Sequence, residues 1–229
     1  MVKQVSSSRQ VPQDTFQFVL PTGWDPITLS DKAGLRAQVH RFVEHHIGGD
    51  PNLAGLRREL TSLLQRQAEE ATAVGGIVMA LGRLGSDNIP LPVSMVCFDY
   101  SRVVRIREED DPATVLAAAT QPALRLADLQ APSGTADIRP AEGWVRVEDH
   151  PHVTFRKAEI SSGEAAADAV GERIGQLQAT YLQHVPDFGV VRTVFSTPVM
   201  VAQDMWLEVF DAVTSLFTAK RRTSKPEAR

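Results

Sequence analysis

The chain has 229 residues, of which 43% are hydrophobic, and its formal net charge is -4. This composition excludes collagen-like, long coiled-coil and disordered chains. A domain of this length buries roughly 70% of the surface that its unfolded chain exposes, so neither a disulfide nor a structural metal ion is needed for stability. We also expect no cofactor. The charge provides no global field for nucleic acid or an anionic membrane, and we expect neither as a partner.

The two ends of the chain differ from the region between them. Residues 1–14 and 219–229 lack apolar periodicity and are rich in polar or charged side chains, which predicts flexible tails. No apolar stretch of the length of a signal sequence or a membrane span follows the start of the chain. No linker divides the region between the tails. We therefore predict a cytoplasmic protein with a single α+β domain over residues 15–218.

The domain is predicted to begin with two short strands and a helix. The strands, residues 16–20 and 25–29, are joined by a Pro/Gly turn, as a hairpin or as a corner between sheets. The hydrophobic period then changes to about 3.6 residues, which predicts a first helix from Ser30 or Asp31 to Gly48.

A second helix has the clearest start and stop signals of the chain. Asp50 and Pro51 form an N-cap and first-turn signal, and Gly75 ends the pattern. Its opposite face carries charges of both signs, which is typical of a solvated surface. We expect one apolar face to be buried, and it comprises Leu53, Leu56, Leu60, Leu63, Leu64, Ala68, Ala71 and Val74.

The middle of the chain predicts two strands and a helix. Residues 77–81 and 93–98 are the strands, and the second is apolar at both alternations. It should therefore lie inside a sheet that is covered on both faces. Acidic residues at 108–111 precede Pro112 and an alanine-rich segment, at a place where a helix N-terminus favours negative charge. We interpret these acids as a helix cap rather than a cation site. The single cysteine, Cys97, is predicted to be buried and unreactive.

The second half of the chain predicts more strands. Three lie at residues 136–139, 143–148 and 153–160. They are followed by a segment of small residues, 163–174, that is either a short helix or a loop.

A hairpin and a final helix complete the domain. Strands at residues 176–185 and 190–196 flank a Pro/Gly turn, and the helix follows Pro198. Together these elements predict a central, largely antiparallel sheet flanked by helices. The apolar face of the final helix comprises Met205, Trp206, Val209, Phe210, Val213, Leu216 and Phe217, and its polar face comprises Asp204, Glu208, Asp211, Thr214 and Ser215.

None of the well-marked catalytic motifs occurs in the sequence. The chain lacks the phosphate loop that ends in Lys-Ser or Lys-Thr, the Gly-x-Gly-x-x-Gly dinucleotide turn, the Gly-x-Ser-x-Gly elbow and the His-Glu-x-x-His metal helix. The enzyme families that depend on these motifs are excluded. An active site without such a motif is not excluded.

Histidines supply the remaining chemical candidates. His40, His45 and His46 share the first helix, but their spacing separates the first ring from the other two by well over 100° around the axis, so we expect no metal there. His150 and His152 stand two residues apart on an extended segment, where both rings point to one side. They are weak candidates for an acid/base pair or for a metal set.

Two observations bear on whether His150 and His152 have a chemical role. His184 or Glu148 could complete a metal set with it. Pro151 and the neighbouring charges favour a solvated turn instead.

Two tryptophans and a basic tail are weak candidates for contact with a partner. Trp24 and Trp144 each follow a glycine, and we expect burial at a sheet end, with a ligand or partner contact as the alternative. Lys220, Arg221 and Arg222 make the C-terminal tail basic. We expect a solubilising tail, with an electrostatic contact to an acidic partner, nucleic acid or a membrane as the alternative.

Three segments resemble one protein family. They are Phe18-Val-Leu-Pro-Thr-Gly-Trp24, the passage at 71–77, and Val194-Phe-Ser-Thr-Pro198 leading to 207–213. The Pro-x-Gly-Trp opening and the Phe-Ser-Thr-Pro ending are similar to those of an actinobacterial family in the Mog1/PsbP-like group, which includes LpqN-type lipoproteins. The resemblance implies an α/β/α sandwich and a non-catalytic accessory role. LpqN-type proteins carry a signal and a lipid-attachment cysteine, which we do not find here.

We therefore expect a non-catalytic, partner-binding accessory protein of the cytoplasm, such as an adaptor, chaperone or immunity-like protein near a secretion system. Its partner is expected to be another protein. Two alternatives stay open. One is an unmarked hydrolase or metal-dependent enzyme that uses His150 or His152, and the other is a homo-oligomeric structural subunit whose interface is the final helix.

Overall fold

The computed structural model describes residues 9–12, 16–84, 91–101, 103–104, 111–121, 139–162, 175–186, 188–198 and 202–219. These residues form ten strands and four helices. In chain order they are β1 (Arg9–Pro12), β2 (Phe16–Leu20), β3 (Trp24–Thr28), α1 (Leu35–Ile47), α2 (Ala54–Ala73), β4 (Gly76–Leu84), β5 (Leu91–Asp99), α3 (Pro112–Ala119), β6 (Trp144–Arg146), β7 (Thr154–Ser162), β8 (Gly175–Val185), β9 (Gly189–Thr197), α4 (Gln203–Ser215) and β10 (Thr218–Ala219).

The strands form two antiparallel sheets. The large sheet has seven strands in the order β3-β4-β5-β9-β8-β7-β6, and the small one has the order β1-β2-β10. Helices α1, α2 and α3 pack on one face of the large sheet, and α4 and the small sheet cover the other face. The predicted α+β class, with a sheet flanked by helices, is confirmed. No helix among the described residues is both long and apolar enough to cross a membrane.

Strand β5 lies inside the sheet, between β4 and β9. Met95 and Cys97 are fully buried beneath α4, whereas Val96 packs toward the core under α1 and α2. The two-sided apolar pattern thus follows from a strand that is covered on both faces, as predicted. Burial raises the pKa of the Cys97 thiol to about 12, and its Sγ lies 3.5 Å from the hydroxyl of Thr193. This thiol is buried and protonated at neutral pH.

The start of the domain is a corner between the two sheets. β2 belongs to the small sheet and β3 to the large one. Gly23 has a φ of 90°, which favours glycine, and the amide of Trp24 donates to the carbonyl of Pro21 in the turn. The segment Arg9–Pro12, which we predicted as part of a tail, pairs with β2 as an edge strand.

The helix boundaries reflect side-chain caps. α1 begins at Leu35, later than predicted, because the Asp31 carboxylate accepts from the Gly34 amide and holds the preceding residues in a turn. The Asp50 carboxylate accepts from the amide of Asn52 and caps a single 3-10 turn, which leads into α2.

Asp111 is the N-cap of α3. Its carboxylate accepts from the amides of Ala113 and Thr114, and hydrogen bonding to Thr114 lowers the pKa of Asp111. The interpretation of Asp111 as a cap is confirmed. Residues 108–110, and the predictions for 136–138 and 163–174, lie outside the described residues.

Helix α4 packs most of its apolar face on the core, whereas Met205 and Leu216, which we predicted on that face, are 47% and 49% exposed. Trp206, Phe210 and Val213 are buried, and the Phe210 ring stacks on Phe195 at a centroid distance of 4.3 Å. Thr214, which the pattern placed on the polar face of α4, departs from that pattern. Thr214 is fully buried, because its hydroxyl donates to the carbonyl of Phe210 and so carries no unsatisfied polar group into the core.

Candidate partner-binding surface

His150 and His152 lie against the C-terminal end of α4. The Nε2 atom of His150 is 3.3 Å from the Thr214 hydroxyl, and the Nε2 atom of His152 is 2.6 Å from the Phe217 carbonyl. The predicted solvated turn is therefore wrong for the two rings, although Pro151 between them is exposed. The side chains point inward because the end of α4 supplies polar groups that need partners.

These contacts define what the histidines do. A carbonyl can only accept, so the Nε2 of His152 donates, while its Nδ1 is buried and has no hydrogen-bond partner among the described residues. His184 lies nearby on β8, and Glu148 is exposed. No group of three metal-ligating side chains is arranged to hold an ion in the described part of the chain. His150 and His152 therefore link the segment that precedes β7 to the C-terminal end of α4.

Acidification should destabilise the fold through His150 and His184. Burial lowers the pKa of both side chains below the ordinary value of 6.5. The folded state therefore binds fewer protons than the unfolded state, so this stability is present above pH 6.5 and lost as the pH falls through and below it. We expect the urea concentration at the unfolding midpoint to be lower at about pH 5.5 than at about pH 7.5. The fall should be smaller in a His150→Gln/His184→Gln variant, and an equal fall would contradict the assignment.

A second polar network lies between α4 and the large sheet. The Asp211 carboxylate accepts from Arg156 Nη1 at 2.6 Å and from the Tyr181 hydroxyl at 2.7 Å. Burial, aided by the Asp211 charge, raises the pKa of Tyr181, so the phenol stays protonated and donates. The Nε2 of Gln183, which is fully buried, donates to the Thr214 carbonyl. Asp211, predicted on the polar face of α4, thus holds the helix on the sheet.

The tryptophans lie within the packed layers. Trp24 is 2% exposed and meets Phe195 edge to face. A Cβ at Gly82 would lie 2.5 Å from the Trp24 ring, so the glycine makes room for the indole. Trp144 packs, partly buried, against the core under α3. Trp24 is thus closed to a partner. Lys220, Arg221 and Arg222 lie outside the described residues.

Two histidines of α1 lie beside carboxylates. His46 lies 2.9 Å from Asp25 and ties α1 to β3, and His40 lies 3.3 Å from Glu44. These pairings give the side chains local structural roles.

The exposure of a row of leucines at the start of α2 is the feature that the sequence pattern did not reveal. We call this row the leucine face, and it comprises Leu53, which ends the 3-10 turn before α2, and Leu56, Leu60 and Leu63 of α2. Leu53, Leu56 and Leu63 are 37%, 44% and 39% exposed, whereas Leu60 is partly buried. We had predicted that all four are buried, together with Val74 at the end of the same stripe. This is wrong for the three exposed leucines and for Val74, which is 71% exposed.

The geometry of α2 explains the exposure. Its buried residues are Leu64 and Ala68. At about 100° per residue, Leu63 lies about 100° around the axis from Leu64, which puts it at the edge of the stripe that one sheet can cover. A contiguous apolar patch of this kind marks an interaction site more often than scattered single residues do.

A shallow groove lies at one end of the large sheet. Its volume is about 180 Å³, and Gln176 donates to Ser196 across it. Pockets for small molecules are usually about 300–1,000 Å³, so the groove is small for such a ligand. It is lined by Leu81, Gly82, Val93, Ser94, Gln176, Ser196 and Pro198.

No family model, curated protein or solved structure matches this chain. The resemblance to the Mog1/PsbP-like group therefore stays a prediction.

Proposed function

We propose that this chain is a non-catalytic, protein-binding accessory protein of the cytoplasm, and that the leucine face of α2 is its contact surface. The observation that carries the proposal is the exposure, in one row, of Leu53 at the end of the 3-10 turn and of Leu56 and Leu63 in the first half of α2. A partner that covered such side chains would gain free energy at about 25 cal/mol for each Å² of apolar surface removed from water.

The placement of the polar side chains supports the same function. His150, His152 and Asp211 are hydrogen-bonded within the fold, to the end of α4 or to the sheet beneath it. A general base needs one nitrogen that faces a substrate, whereas both Nε2 atoms face the end of α4, His150 Nδ1 lies 3.0 Å from the Thr154 hydroxyl and His152 Nδ1 is buried. We therefore do not propose the hydrolase or metal-dependent alternative that uses His150 or His152.

The recognition mode follows from the shape of the surface. A row of apolar side chains along one helix fits another helix or an apolar groove, with leucines as anchors one and two turns apart. Glu59 and Arg66 are exposed beside the row, so charge borders the apolar side chains, whereas Arg58 and Glu69 are exposed on the far side of α2. An adaptor or chaperone near a secretion system would use such a row to hold a helical segment of its client.

The test is affinity purification under mild salt from the native cells, followed by mass spectrometry. Leu56→Gln/Leu63→Gln removes the apolar row and keeps good helix formers, and Arg58→Gln/Glu69→Gln is the matched control on the far side. We expect a stoichiometric protein with the wild type and the control, and its loss with the leucine variant. Retention by the leucine variant, with an unchanged melting temperature, would refute the assignment of this surface.

A further inference from the structure

We propose that the free edge of β7, residues 158–162, accepts an extended, positively charged segment of a partner protein as an added strand. This surface is separate from the leucine face, because α2 packs with α1 over β3 and β4, whereas β7 lies near the opposite edge of the large sheet. Three observations support it: unpaired backbone groups, the contrast with the other edge of the sheet, and the charges above the free edge.

Strand β6 covers only the first part of the outer edge of β7. Its three residues pair with residues 155–157, and the pairing stops there. The next five residues of β7, 158–162, continue beyond β6 while they stay paired with β8 on the inner edge. At the usual rise of a strand they offer a length of about 17 Å for an added strand.

The outward backbone groups of this segment are unpaired. The amide of Val147, which follows β6, donates to the carbonyl of Thr154, so the backbone groups of Thr154 point away from β8. Since these groups alternate between the two edges of a strand, those of Ala158 and Ile160 point outward as well. No backbone hydrogen bond reaches them within the described residues. Such a row of free donors and acceptors is what an added strand pairs with.

The opposite edge of the large sheet, β3, is closed to an added strand. Pro26 has no amide hydrogen to donate. The amide of Thr28 donates to Gln38 Oε1 of α1 at 2.9 Å, and Gln38 Nε2 donates to the carbonyl of Thr28 at 3.4 Å. The free edge of β7 has no proline, and its residues 158–160 are exposed, Ile160 at 57%. Of the two edges, only that of β7 is therefore open to pairing in the part of the chain that the structure describes.

Helix α4 places an acid above the free edge. Its C-terminal end lies beside the residues that precede β7, and Asp211 contacts Arg156. Asp204 is seven residues before Asp211, so it lies on the same side of the helix and about 10.5 Å nearer to its N-terminus. Three residues of a strand span about the same distance, which brings Asp204 level with residues 159 and 160.

The charges indicate which kind of segment fits. Asp204 and Glu208 are exposed, and neither makes an ion pair within the described residues. Lys157 and Glu159, on the other face of β7, pair with each other. A lysine or arginine on an added strand would lay its aliphatic stem on Ile160 and point its charge toward Asp204. A basic extended segment therefore complements this edge.

A second copy of this chain fits the same edge less well. The register that pairs the whole free edge of two copies is antiparallel and centred on Ile160. It places both α4 helices on the same face of the joined sheet and turns Asp204 of each copy toward the other. Like charges that face each other are unfavourable, so the acid that attracts a basic segment disfavours self-pairing.

The test is a titration of the nitrogen-15-labelled full chain with synthetic peptides at low salt, followed by amide chemical shifts. The probe is the capped peptide Lys-Thr-Lys-Val-Lys-Thr-Lys, and its counterpart has Glu in place of each Lys. We expect the lysine peptide to shift the amides of Ala158 and Ile160 and to slow their exchange, and the glutamate peptide to leave them unchanged. The lysine peptide with N-methyl groups on its lysine amides should bind about tenfold more weakly, because it lacks the donors for the ladder.

Two protein variants separate the backbone from the charge. Ile160→Pro removes one outward amide and keeps the ladder with β8, and Asp204→Asn/Glu208→Gln removes both acids. Each should weaken binding of the lysine peptide, the charge variant by about fivefold. Glu69→Gln/Glu70→Gln on α2 makes the same change in net charge and should bind as the wild type does. Circular dichroism melting checks that each variant folds, and the N-methylated peptide tests the ladder without any change to the protein.

Three results would overturn the inference. They are a lysine peptide that leaves the edge amides unchanged, a glutamate or N-methylated peptide that binds equally well, and a charge variant with wild-type affinity. Edge amides that shift when the chain alone is concentrated would assign the edge to a second copy instead. Leu56→Gln/Leu63→Gln should bind the lysine peptide as the wild type does, so a failure of the leucine face would leave this inference standing.

Discussion

Replacing Phe210 with alanine should lower the free energy of unfolding by about 3–5 kcal/mol, the usual range for a buried phenylalanine. Phe210 is fully buried, and its ring stacks on Phe195 with an interplanar angle of 11°. Truncation removes the apolar side chain and leaves a cavity between α4 and the large sheet, where close packing limits collapse.

Urea unfolding at neutral pH measures this loss. Glu208→Ala is the matched control, because Glu208 is an exposed residue of the same helix, and its effect should stay within about 0.5 kcal/mol. If Phe210→Ala unfolded at the same urea concentration as the control, α4 could not pack on the sheet as described.

Replacing Asp211 with alanine should cost about 1–3 kcal/mol, because the buried Tyr181 hydroxyl would lose its acceptor. The Arg156 guanidinium, 2.6 Å from the carboxylate, would lose its counter-charge at the same time. The loss should be much larger than for Asp204→Ala, which removes an exposed acid of the same helix.

A double-mutant cycle with Tyr181→Phe isolates this hydrogen bond. Without the hydroxyl no unsatisfied donor remains, so Asp211→Ala should cost less in the Tyr181→Phe background than in the wild type. Chemical denaturation of the four proteins gives the coupling. Strictly additive costs would show that the hydroxyl and the carboxylate do not interact.

Local patterns predicted the parts of the fold that depend on near neighbours. The two-sided apolar strand β5, the hairpin of β8 and β9, and the cap at Asp111 each follow from a few adjacent residues. Each of these signals has a short-range cause, namely strand alternation, turn chemistry or an unsatisfied helix amide.

The candidate site depends on contacts that no local pattern contains. Pro151 correctly marks a turn, but His150 and His152 bind Thr214 and Phe217, more than sixty residues further along the chain. The sequence pattern places Asp211 on the polar face of α4. Its contacts with Arg156 and Tyr181 exist only because β7 and β8 lie beneath that helix. Such pairings follow only from the strand order, which the sequence pattern did not provide.

The leucine face shows the same limit. The 3.6-residue period identified the apolar side chains of α2 correctly, but how many of them a single sheet covers depends on how the helix lies on it. Leu64 and Ala68 reach the core, whereas Leu56 and Leu63 lie beside it. When the apolar stripe of a helix is wider than the sheet beneath it can cover, the uncovered part indicates a contact with another partner. Comparing the width of the stripe with the position of the helix on the sheet identifies such a surface.

Hydroxyl-radical footprinting of Leu56 and Leu63 tests the central claim, that the leucine face is covered when the protein functions. The purified chain at low concentration would be compared with the chain in a gently prepared extract of the cells that produce it. Val145, which is exposed on β6, serves as the internal control. The account predicts that oxidation of the two leucines falls in the extract while that of the control is unchanged. Leucines as reactive in the extract as in the dilute protein would contradict it.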